Sequence, residues 1–253
     1  MKLRAMFVVA LAAAAVPADA AQIVTTYKGT ANIQYDDYNY FQGLTGSHDF
    51  EVIYTLDDSL GKVGANGVNL SNITGGTLSG FSNPISAVIK TGGVVISLGD
   101  VMTHGASATR FNDYDIEGFG VPEDFIADVI DQIIMTDPST GILEQLTVRN
   151  SLRSSVNQFY ATADYMSPFS YVAQPGDVSD ASVSGFARHL VDTNTGKFIS
   201  RTYVQFRTTS VSSEVLQSAV PEPATWATML LGFGLIGGGM RYRRRQRVRV
   251  TYA

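Results

Sequence analysis

In the stretch Phe50-Glu51-Val52-Ile53-Tyr54-Thr55-Leu56, side chains of high β propensity run without a break. Phe50, Val52, Tyr54 and Leu56 fall on one face of an extended chain, and Glu51 and Thr55 fall on the other. Asp57-Asp58 ends the run. The same grammar extends in both directions, with short apolar or alternating runs separated by Gly, Asn, Asp and Pro. Residues 94–98, between Gly92-Gly93 and Gly99-Asp100, predict a more buried strand. Residues 142–148 follow the turn-rich Asp137-Pro138-Ser139-Thr140-Gly141 and predict a hairpin. The clearest hairpin joins 183–191 to 197–211 through Asp192-Thr193-Asn194-Thr195-Gly196.

One segment resists this reading. Phe125, Ile126, Val129, Ile130, Ile133 and Ile134 have helical spacing with Asp124, Asp128 and Asp131 between them, so a short helix and a buried strand both satisfy residues 124–135. Elsewhere, many strands with short turns and no strand–helix alternation predict an all-β domain over residues 21–218, an antiparallel β-sandwich.

The two ends have a different character. Lys2 and Arg4 precede an unbroken apolar run at 5–16, and Ala18-Asp19-Ala20 offers small residues at a cleavage site. These are the three parts of a secretory signal peptide, here residues 1–20, and the run is too short to span a bilayer. At the other end, Pro221-Glu222-Pro223-Ala224-Thr225-Trp226-Ala227 leads into an uncharged stretch over 224–240, then Arg241-Tyr242-Arg243-Arg244-Arg245. Seventeen residues at about 1.5 Å rise give roughly 26 Å, close to the hydrocarbon thickness, so one transmembrane helix is expected. Trp226 and Tyr242 suit its two interfaces. The basic stop at 241–249 belongs on the cytoplasmic side, which puts the large domain across the membrane.

The absence of cysteine excludes disulfides, thiolate metal sites and cysteine nucleophiles. The overall net charge of −5 conceals a segregation, because residues 21–218 hold 10 basic against 21 acidic residues, a net of −11. Such a domain repels phosphate backbones, so no nucleic-acid partner is expected.

No Gly-x-Ser-x-Gly, His-Glu-x-x-His or phosphate-binding glycine loop is present, and His48, His104 and His189 lie in no catalytic pattern. The domain therefore reads as non-enzymatic. An enzyme acting on polysaccharide, with carboxylates dispersed over separate strands, is the alternative. Asp113, Asp115 and Glu117, with Gly118 and with Asp124 eleven residues after Asp113, partly fit a calcium loop, although Pro122 interrupts it. A solvated acidic loop explains the same residues; a calcium-dependent adhesion module is the reading in which they bind a cation. Tyr35, Tyr38, Tyr40 and Phe41, interleaved with Asp36, Asp37 and Asn39, combine stacking rings with hydrogen-bonding groups as a glycan-binding loop would.

The order Pro221, Glu222, Pro223, Trp226 and Ala227, then a glycine-rich span and the cluster Arg241, Arg243, Arg244 and Arg245, resembles the PEP-CTERM sorting signal in its PEPxxWA form. The likeness covers residues 219–249. It implies sorting by exosortase, a membrane-embedded enzyme of Gram-negative bacteria with extracellular polysaccharide systems. The implied route runs from an inner-membrane anchor, held by lipid contacts of the C-terminal helix with the domain in the periplasm, to the cell surface or an exopolysaccharide biofilm matrix. It implies nothing about activity or a cofactor.

Signal cleavage after Ala20 is expected to leave Ala21 as the mature N-terminus. Mass spectrometry of the protein from its own host checks this, and an intact Met1 or Lys2 contradicts it.

Overall fold

The computed structural model describes residues 21–98, 103–115, 122–137, 139–179, 184–216 and 232–234. Twelve strands follow one another: β1 (Gln22–Asp36), β2 (Gly46–Asp57), β3 (Lys62–Asn66), β4 (Leu70–Gly75), β5 (Ile85–Thr91), β6 (Val94–Leu98), β7 (Thr103–Tyr114), β8 (Glu123–Asp137), β9 (Ile142–Ser154), β10 (Phe169–Val172), β11 (Gly185–Asp192) and β12 (Lys197–Leu216). They lie within one compact unit, Ala20–Gln217.

All pairings are antiparallel and join a single sheet in the order β3-β4-β7-β8-β9-β11-β12-β1-β2-β5-β6, with β10 added to β12. The all-β expectation holds, but the expected pair of separate sheets is one continuous sheet curled on itself. Local alternation tells which residues face inward in either arrangement; it does not tell whether the ladder is interrupted at the corner. The inner face of β12, β1, β2 and β5 opposes that of β7, β8 and β9, as hydrogen bonds across the core record. Tyr27 of β1 donates to Asp128 of β8 at 2.8 Å, and Tyr54 of β2 donates to Asn150 of β9 at 2.9 Å.

The alternation of 50–56 has the expected consequence, since Phe50, Val52, Tyr54 and Leu56 are all buried. Tyr27 and Tyr54 meet edge-on at 5.7 Å, and Phe50 stacks on Phe206 of β12 at 4.6 Å. Gly29 makes room for that stack. It sits at an irregularity of the β1–β12 register, where a Cβ would run into the Arg207 carbonyl oxygen and press on the Phe50 ring. Residues 94–98 form a strand as expected, yet β6 is an edge of the sheet, with Val95 turned to solvent.

Residues 124–135 lie in strand β8. The inward set is Asp124, Ile126, Asp128, Ile130 and Gln132, all buried. Two carboxylates and an amide on the core face broke the apolar alternation and left a false helical spacing. Both the 137–141 turn and the 192–196 turn form their hairpins, and Gly141 and Gly196 adopt positive φ there.

Loops cover the two ends of the curled sheet. At one end residues 155–168 bring Phe159, Tyr160, Ala163 and Tyr165 into the core. Tyr160 donates to the Phe111 and Phe125 carbonyl oxygens, and Tyr165 to that of Ala108. Buried Arg110 lies beneath this loop, donating to Ser213 at 2.6 Å with its guanidinium over the rings of Tyr165 and Phe169. At the other end, residues 37–44 place Phe41 edge-on to Phe186 at 5.9 Å.

Burial raises the Asp128 carboxyl to about 6, against the opposing pull of the Tyr27 hydrogen bond and the Arg110 charge. The folded state therefore retains a proton that the unfolded chain, with an aspartate near 3.8, has lost. Its contribution is fully present below about pH 4 and is lost as the pH rises through about 6. A shift of about two units corresponds to about 3 kcal/mol. Asp128→Asn should match the parent near pH 4 and exceed it by up to about 3 kcal/mol at pH 8 in urea unfolding. Parallel stability profiles for the two proteins contradict the assignment.

Candidate functional site

One group of chemistry-bearing residues gathers at the end of the sheet closed by residues 37–44, and the acidic cluster lies at the other end. Asp36, the last residue of β1, organises the 37–44 loop. One carboxylate oxygen accepts the Tyr40 N–H and the Thr202 hydroxyl, and the other accepts the Phe41 N–H. The four aromatic residues singled out in the sequence are divided by this turn. Phe41 enters the core, Tyr38 and Tyr40 point toward Arg188 of β11, and Tyr35 lies on the outer face.

Arg188 is fully engaged. Its Nε and Nη2 bind Glu144 of β9 at 2.8 and 2.6 Å, its Nη1 donates to the Tyr40 hydroxyl, and its guanidinium lies 4.3 Å from the Tyr38 ring centre. Tyr40 also packs edge-on against Phe186 at 5.3 Å. The stacking faces proposed from sequence for Tyr38 and Tyr40 are thus occupied from within the protein. The arrangement is a plug over the core.

On the outer face the pattern differs. The guanidinium of Arg201 lies 3.5 Å from the centre of the Tyr35 ring and 5.7 Å from that of Phe198, while His189 meets Phe198 edge-on at 5.6 Å. The register explains the cluster, because His189 pairs with Arg201, and Tyr203 sits between Ala187 and Tyr35. A hollow of about 220 Å³ is lined by Tyr35, Ala187, His189, Phe198, Arg201, Thr202 and Tyr203. Sequence reasoning took His189 as an isolated strand residue and passed over Arg201 and Phe198. Counting back from the 192–196 turn puts 189 opposite 200, and only the irregularity between Leu190 and Val191 brings it opposite 201, so the turn alone did not signal the cluster.

The acidic cluster has another organisation. Asp124 is buried, and its two oxygens accept the N–H groups of Asp113 at 2.9 Å and of Phe159 at 2.5 Å. Burial raises its carboxyl above the usual range despite these bonds. Asp113 and Asp115 stand at the end of β7, with Asp113 at positive φ, and Glu117 lies outside the described residues. Among the described residues no group of three or more His, Asp or Glu side chains is arranged to hold a metal ion. Asp124 ties the 155–168 loop to the end of β7. The remaining histidines make local contacts, His48 with the Thr45 carbonyl and His104 with the Thr77 hydroxyl.

The signal residues Ala18 and Ala20, the tail residues Pro221, Glu222, Pro223, Trp226 and Ala227, and Arg241, Arg243, Arg244 and Arg245 all lie outside the described residues, as does the predicted span except for helical 232–234. Among the described residues no helix is long and apolar enough to cross a membrane. For this part of the chain the comparison with known families is decisive: residues 219–245 match the model of the PEP-CTERM protein-sorting motif. The chain carries a PEP-CTERM sorting motif. Comparisons with curated proteins and with solved structures return no match. The PEP-CTERM match, immediately beyond β12, covers the tail alone and supports targeting of an exported protein to exosortase in a Gram-negative cell.

Asp124→Asn replaces one acceptor oxygen by an NH₂ group that faces a backbone N–H. It should lower stability by about 2 kcal/mol, equally in EDTA and in millimolar calcium. Denaturant unfolding under both conditions checks this; a loss seen only with calcium present would show that Asp124 acts through the ion.

Proposed function

We propose that this protein is a non-enzymatic component of the cell surface or extracellular matrix, delivered by exosortase through its C-terminal tail and associated with exopolysaccharide. The observation that carries the reading is the sorting motif at 219–245 directly after the last strand of the domain. In this reading the signal segment starts export and the 224–240 span holds the chain in the inner membrane, with the arginine cluster on the cytoplasmic side. Pro221 and Pro223 keep the backbone extended at the membrane surface, where a processing enzyme reaches it.

The described domain supports a binding or structural role in place of catalysis. Its most engaged polar groups, Arg188, Glu144, Asp36 and Asp124, are consumed in closing the two ends of the sheet. His48 contacts a backbone carbonyl, that of Thr45, and His104 meets the Thr77 hydroxyl only at 3.4 Å on the exposed surface, longer than a base needs to draw a proton. The domain needs no cofactor in this role.

The test is the mature C-terminus, read by mass spectrometry separately from membrane and medium of the native host. A terminus near Pro223, lacking the arginine cluster, is expected. An intact Ala253 in every fraction would leave a membrane anchor without processing.

A further inference from the structure

Three arginines of the domain lie against aromatic rings, Arg110, Arg188 and Arg201, and the two that stand close in sequence, Arg188 and Arg201, differ in one respect. Arg188 has a carboxylate partner; Arg201 has none. Among the described residues the ion pairs are Lys28–Glu51, Lys90–Glu51 and Arg188–Glu144. Among the described residues the Arg201 guanidinium makes only ring contacts, with Tyr35 and Phe198, while its backbone N–H is the group that binds the Asp37 carboxylate. A planar fork held flat on a tyrosine, with its N–H edges uncommitted, is preorganised for a planar anion such as a carboxylate.

Two hollows meet at this residue. The 220 Å³ hollow described above adjoins one of about 430 Å³ lined by Asp37, Gly196, Lys197, Phe198, Ile199, Ser200 and Arg201. They share Phe198 and Arg201. Phe198 is 56% exposed, an open aromatic face between two depressions. Asp37, Lys197 and Ser200 in the second hollow supply groups that hydrogen-bond hydroxyls. Burial lowers the pKa of His189 against the opposing influence of Asp131, so this ring offers a neutral nitrogen and adds no second positive charge.

The shape and chemistry select among anions. A lone sulfate or phosphate leaves Phe198 uncovered. Nucleic acid is opposed by the −11 charge of residues 21–218. An extended peptide could pair only with the short stretch 197–200, which β1 leaves open by ending at Asp36 opposite Thr202, and such backbone pairing would leave the Arg201 fork and the Phe198 ring unused. What remains is a chain of rings bearing C–H faces, hydroxyls and a carboxylate.

We propose that the double hollow around Arg201 and Phe198 binds a carboxylated oligosaccharide, with a uronate carboxylate on the Arg201 fork and a sugar ring stacked on Phe198. Tyr35 orients the guanidinium from behind. The assignment deepens the reading of the domain as a polysaccharide-associated component, and its test is independent of how the tail is processed.

The test titrates the purified full-length protein with tetragalacturonate, the neutral galactose tetramer, tetraglutamate and inorganic sulfate, by calorimetry. Tetragalacturonate should bind most tightly. Arg201→Gln and Phe198→Ala should each weaken it about tenfold, with Arg201→Lys intermediate, because a charged hydrogen bond or an aromatic stack is of that size. The two substitutions lie on the exposed hairpin, so unchanged melting temperatures confirm that binding alone is altered; if one variant fails to fold, the other carries the test. Equal affinity for the neutral tetramer or for tetraglutamate overturns the proposal. So does absence of tetragalacturonate binding, or binding unchanged in the folded variants.

Discussion

A single antiparallel sheet can bury one face only by closing against itself, and that closure is the constraint on which the rest of this domain depends. Apolar contact supplies most of the driving force but carries little directional information. Direction comes from hydrogen bonds thrown across the core between strands that are not neighbours, Tyr27 to Asp128, Tyr54 to Asn150 and Arg110 to Ser213. Each fixes how far the two halves have curled and at what height they meet. The cost is the burial of charge: Arg110 and Asp128 both lie in the core, and only a nearly complete set of partners makes that tolerable.

The same groups limit what could be read from the sequence. β2 was legible because its inner face is wholly apolar, and the 192–196 hairpin because its turn residues have a single sensible use. β8 was ambiguous because Asp124, Asp128 and Gln132 point into the core, where an alternation rule expects apolar side chains. The continuity of the sheet was also hidden. Whether β9 and β12 are bridged by β11 or lie in separate layers depends on pairings between distant segments, and local patterning is the same in both cases. Of the candidate sites, the sorting tail was legible as a linear motif. The Arg201 surface was not, because Tyr35, His189, Phe198 and Arg201 come from three strands and meet only after the register is set.

The aromatic loop after β1 shows how composition misdirects when geometry is unknown. Tyr38 and Tyr40 had the right chemistry for an open binding loop, yet Asp36 turns the backbone so that both rings meet Arg188 and seal the sheet. Arg188 and Arg201 both lie against tyrosine rings, but Glu144 neutralises only the first. The presence or absence of one carboxylate separates a structural plug from a surface prepared for an outside anion.

The pairing of β1 with β12 has a kinetic meaning. Its ladder runs from Gln22 opposite Leu216 to Asp36 opposite Thr202, so the first strand to be made sits beside the last. Long loops must close before such a ladder forms, and the intervening strands cannot supply its hydrogen bonds in advance. A chain delivered from its N-terminus stays incomplete until β12 arrives, and the sorting motif follows within a few residues. Completion of the domain and delivery of its address are therefore nearly simultaneous.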